Sequence, residues 1–118
     1  MDKPLEEAIK AANDWKDGKC STGDAINASR IVHAFARTLE DPILRLIARA
    51  IGHGAATAHM ADHCMGAALY AQKALKLASK PYENERSWQL EKLKEFLPND
   101  LAQLIKETME VKAKGLGI

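Results

Sequence analysis

No proline interrupts Ile43 to Lys80, and a single helix over that span would be about 57 Å long at 1.5 Å per residue. A compact chain of 118 residues has a radius of gyration of only about 13–14 Å. The stretch therefore has to bend back on itself. Gly52-His53-Gly54 is the natural place for a break or sharp kink, which predicts two helices, about Ile43 to Ile51 and Ala55 to Ala78. The second is apolar nearly all round: Asp62 is the only formally charged residue between Ala55 and Ala71, and Ala56, Ala61, Gly66, Ala67 and Ala71 keep it slim. Such a helix belongs in the middle of a bundle.

Valine occurs only at positions 32 and 111, while alanine, leucine, glutamate and lysine dominate, so local preference runs to helix and away from sheet. The fold class expected is all-α, a compact bundle of five to six helices in a single domain, 1–118. Pro4 opens a first helix with Leu5, Ala8, Ile9 and Ala12 on one face, ending by Gly18. Ser21 or Thr22 caps a second, with Asp24 in its first turn. Its buried stripe reads Ala25, Ala28, Val32, Phe35, Ala36 and Leu39, with Arg30, His33 and Arg37 on the flank. Pro81 opens a segment whose apolar face is Trp88, Leu90 and Leu93. Asn99 or Asp100 starts a last helix lined by Leu101, Leu104, Ile105 and Thr108. Residues 112–118, with two glycines, are expected to fray.

Seventeen basic against sixteen acidic residues leave a net charge of +1, no footprint for nucleic acid. The longest stretch free of Asp, Glu, Lys and Arg, Ala50 to Ala61, is shorter than the ~18–20 apolar residues of a membrane span. The opening residues carry no apolar signal segment, so a cytoplasmic location is the expectation. Cys20 and Cys64 form no CxxC pair, so free thiols are expected. Cys20 stands just before a helix start, where a thiolate is stabilised.

All four histidines, His33, His53, His59 and His63, lie in the two central segments. His59 and His63 are four apart, which on a helix puts both rings on one face. Asp62 lies about 60° round that helix from His59, and His33 can approach from the neighbouring helix. His33, His59, His63 and Asp62 are thus a candidate set of ligands for a divalent metal. HxxxH lacks the glutamate of HExxH that supplies a general base. The competing reading is a set of histidines packed at a helix interface and hydrogen-bonded there. A helical homo-oligomer joined through the small-residue helix is a third reading.

The stretch GHGAATAHMADHCMGAALYAQKAL, Gly52 to Leu75, resembles the immunity proteins of bacterial polymorphic toxin systems, in the immunity-protein-five-like group. AIKAANDWKDGK, ASRIVHAFAR and NERSWQLEKL agree with that family in the same order. The resemblance implies an all-helical protein, without catalysis and without a cofactor, that binds and neutralises a toxin. The expected partner is that toxin, a protein, and not nucleic acid or membrane. Partner contacts are expected at His53 in the motif and at Arg37, Arg45 and Trp88 near helix ends, although core packing is the bland reading of Trp88.

Overall fold

The computed structural model describes residues 1–60 and 63–118, and six helices run through them: α1 (Lys3–Lys16), α2 (Thr22–Thr38), α3 (Pro42–Ala56), α4 (His63–Leu77), α5 (Tyr82–Phe96) and α6 (Asn99–Leu116). The radius of gyration is 14.2 Å, close to that expected for a compact chain of this length.

The ends of the first helices follow the residues read from sequence. Pro4 occupies the first turn of α1, and Gly18 takes a φ of +73° just past its end. Ser21 and Asp24 form a reciprocal capping box: the Ser21 hydroxyl accepts from the Asp24 amide at 3.0 Å, and the Asp24 carboxylate accepts from the Ser21 amide at 3.2 Å. Each bond satisfies an amide that the helix itself leaves open. Ser21→Ala is expected to cost about 1 kcal/mol of stability, measured by chemical denaturation. Asp41 caps α3 through the amides of Ile43 and Leu44.

The chain break falls later than the glycines suggest. Helix α3 continues through Gly52, His53 and Gly54 to Ala56, and the turn follows it. Gly52 lies inside α3, and a β-carbon there would stand 2.7 Å from His33 Nε2, so this glycine serves close packing and not chain reversal. Helix α4 packs against α3 on one side and against α5 and α6 on the other, the central position its small residues predict.

Two apolar clusters result. Leu5, Ala8, Val32, Ala36, Ala48 and Ala55 join α1, α2 and α3. Leu69, Met109 and Ala113 join α4 and α6, with Leu93 from α5 at the edge. Helix α6 is turned by about one position from the face expected: it buries Ala102, Met109 and Ala113 and leaves Leu101 and Leu104 exposed. Two of its three buried residues are alanines, whose small side chains let the helix lie close to its neighbours. Residues 112–116, expected to fray, are helical. Gly117 ends α6 with a φ of +74°, the Ile118 amide donates to the Ala113 carbonyl, and Lys76 Nζ donates to the Gly117 carbonyl at 2.7 Å. Among the described residues no helix is long and apolar enough to cross a membrane.

Candidate functional site

The site grows from one close approach. The Ser29 hydroxyl on α2 donates to the Gly52 carbonyl on α3 at 2.9 Å, in a position only 5% exposed. One turn further along α2, the His33 ring lies over Gly52 itself. Arg49, three residues before Gly52, reaches His33 Nδ1 at 2.7 Å. A guanidinium only donates, so Nδ1 accepts and the neutral ring keeps its proton on Nε2.

His53 is the hub. Its ring meets His33 edge-on at 5.0 Å between centroids, stacks on Tyr70 at 5.1 Å with an 8° interplanar angle, and puts Nδ1 3.1 Å from His63 Nδ1. Gly66 gives it room, since a β-carbon there would sit 3.1 Å from the ring. His59 follows His63 at 6.4 Å. The four imidazoles therefore form a string, His33, His53, His63, His59, from the half-buried interior to the exposed turn.

This differs from the set read at helical spacing. The helix ends at Ala56, so His59 lies in the turn while His63 opens α4, and the pair does not share one helix face. His53 stands between His33 and His63. Asp62, the fourth expected ligand, lies outside the described residues. Among the described residues no three His, Cys, Asp or Glu side chains are placed to hold a metal ion together.

Burial pushes the His33 imidazole down to about 4, helped by His53, Arg49 and Arg37 around it and by His63 beyond. The ring is neutral in the folded protein and protonates near 6.5 when unfolded. Stability from this neutral ring is complete above pH 6.5 and is lost as pH falls toward 4. With solvent screening of a half-exposed group allowed for, the loss is roughly 1–2 kcal/mol. The check is thermal denaturation from pH 7 to 4, where His33→Gln should flatten the slope. Cys20 is not an activated thiol: desolvation, with Asp24 and Asp14 nearby, raises its pKa, and Sγ donates to the Ala11 carbonyl at 3.5 Å.

Beside the imidazoles an open cleft of about 420 Å³ is lined by His53, His63, Gly66 and Leu69 and by Lys112, Gly115 and Leu116 of α6. Sequence reasoning missed the α6 side because those residues were expected to fray. The anchors read from sequence are spread apart in role. Arg37 is exposed near His33, whereas exposed Arg45 donates through Nε and Nη2 to the Leu39 carbonyl and closes the α2–α3 turn. Trp88 is 53% exposed instead of packed in a core, and it lines an apolar groove of about 370 Å³ with Met65, Leu93, Phe96 and Ile105.

A polar network between α4 and α5 was also missed. Gln72, 1% exposed, donates to Gln89 Oε1 at 2.7 Å and accepts from Arg86 Nε at 2.9 Å. Gln89 in turn donates to the Ala68 carbonyl and to Glu85. The sequence signal was an amide directly after the charge-free run Cys64 to Ala71 of α4.

Comparison with curated proteins and with solved structures yields no match. A family model does match, over residues 1–96, which are the residues that build α1 to α5. The chain therefore belongs to the family described as Imm-5 like putative immunity protein.

Proposed function

We propose that this chain is a stoichiometric binding protein that neutralises a toxin by docking on it, without turnover, in the cytoplasm of the cell that makes it. Family membership carries the reading. The arrangement of the histidines supports it: the rings touch each other, Tyr70, Arg49 and the helix glycines, which is what packing requires. Recognition then falls to the outside. Trp88 at 53% and Phe96 at 74% exposure flank the apolar groove, and an aromatic anchor in a well-fitted pocket is where binding energy concentrates. Arg37 and the His53 side of the cleft supply polar contacts, and Arg45, held on Leu39, contributes at the rim.

The test is co-expression with the product of the adjacent reading frame. A complex of one copy each, and survival of cells carrying the toxin, are the expected results. Trp88→Ala should weaken the complex by about tenfold or more. No complex together with no protection would remove the reading.

A further inference from the structure

Helix α6 buries Ala102, Met109 and Ala113 and packs against α4 and α5. Its outward side carries a second apolar line. Leu101, Leu104, Thr108, Val111 and Gly115 recur at alternating steps of three and four, which puts them on one stripe about 120° round the helix from the buried residues. Leu104 is 59% and Val111 72% exposed, and Leu101 and Gly115 are exposed too. The Thr108 hydroxyl is satisfied inside the helix, donating to the Leu104 carbonyl at 2.8 Å. Charges flank the stripe, Glu107 on one side and Lys112 on the other. Glu107 accepts from the Gln103 amide at 3.0 Å, and a carboxylate takes further donors. Among the described residues no ion pair holds Lys112. The whole stripe lies beyond residues 1–96, the part that matches the family.

We propose that α6 pairs in parallel with α6 of a second copy of this chain, as a short two-stranded coiled coil built on Leu101, Leu104, Thr108 and Val111. Alternating steps of three and four residues are what let two helices keep one seam in contact along their length. In a parallel pair each seam residue meets its own counterpart, so leucine faces leucine and valine faces valine. The flanking charges select both the occupant and its direction. A residue at one edge of the seam lies beside the residue five positions later on the other helix, and five positions after Glu107 stands Lys112. The face therefore complements itself, twice over by symmetry. An antiparallel pair with Leu104 against Thr108 would instead set Glu107 beside its own copy. Both charged side chains are exposed, so they choose the direction more than they add strength. One helix of 18 residues offers less than the ~800 Å² per partner of a standard interface, so half-association is expected at about 10–100 μM. This pairing stands apart from the toxin-binding role: either can hold without the other.

Sedimentation of the full chain at increasing concentration tests this. The mass is expected to rise from that of one copy, 13.0 kDa, toward that of two. Leu104→Glu and, independently, Val111→Lys should raise the dissociation constant about tenfold or more. Melting of the dilute variants should be unchanged, because both side chains already stand in solvent. Ile31→Glu, at an exposed apolar residue of α2, should leave association as it is. Glu107→Lys and Lys112→Glu should each weaken the pair about threefold to tenfold. The two together should restore it, since the same contacts return with signs exchanged. A single-copy mass up to about 1 mM, a dimer that survives Leu104→Glu and Val111→Lys, a dimer that Ile31→Glu breaks, or a double exchange no better than the single ones would overturn the proposal. Toxin capture lost through Leu104→Glu in a chain that is monomeric to begin with would assign this face to the toxin and overturn it equally.

Discussion

Gly52→Ala is expected to lower the melting temperature by roughly 5–10 °C, although alanine is the better helix former by about 1 kcal/mol. The added β-carbon would stand 2.7 Å from His33 Nε2 and 2.9 Å from Cε1. Those atoms cannot simply swing aside. Arg49 holds Nδ1 of the same ring, His53 meets its edge, and Ser29 ties the Gly52 carbonyl to α2. Relief requires α2 and α3 to separate, and overpacking of a fitted contact typically costs about 1–3 kcal/mol. The comparison variant is Gly54→Ala, two residues on in the same helix, where a β-carbon meets nothing within 4 Å. That change should raise stability by about 0.5–1 kcal/mol. His33→Ala placed on the Gly52→Ala background should recover part of the loss, because the clash is with that ring. Equal effects of the two glycine substitutions would show that Gly52 is not there to admit His33.

The same glycine marks where sequence reasoning stopped. Helix count, the Ser21 cap, the start of α3 near Ile43 and the central place of α4 were legible because each depends on neighbouring residues and on periodicity. A glycine inside a helical stretch has two uses, to turn the chain or to admit a neighbour. Only the partner, His33 from 19 positions earlier in the chain, decides between them. The histidines failed for a related reason. His59 and His63 share a face only on an unbroken helix, and moving the break from Gly52 to beyond Ala56 moved His59 into the turn. His53, expected only as a partner contact, became the hub. On α6 the apolar residues Leu101, Leu104 and Ile105 outvoted Ala102 in the periodicity, yet the close-packed face is the one with small residues. Residues 112–116 were misread because Lys76, on a different helix, supplies the bond that closes their end.

Gln72→Leu should be the most damaging single change among those considered, with a loss of about 2–4 kcal/mol. Sterics do not account for it, since a cavity of about 40 Å³ lined by Leu69, Gln72 and Arg86 gives the leucine room. The polar groups left behind do. Arg86 Nε loses its acceptor and Gln89 Oε1 its donor, while Arg86 Nη2 is buried with no partner among the described residues to begin with. A half-buried guanidinium that loses its acceptor bears a desolvation cost on the atoms that water does not reach. The stacking of Arg86 on Tyr82, at 5.3 Å, holds it in place and hinders escape to solvent. Removing the charge as well should therefore repair much of the damage: Gln72→Leu with Arg86→Leu is expected to regain about half of the loss, a coupling of about 1–3 kcal/mol in a double-mutant cycle. Additive losses in urea denaturation would mean that Gln72 acts by filling space, and that the network between α4 and α5 contributes nothing to holding the two halves of the bundle together.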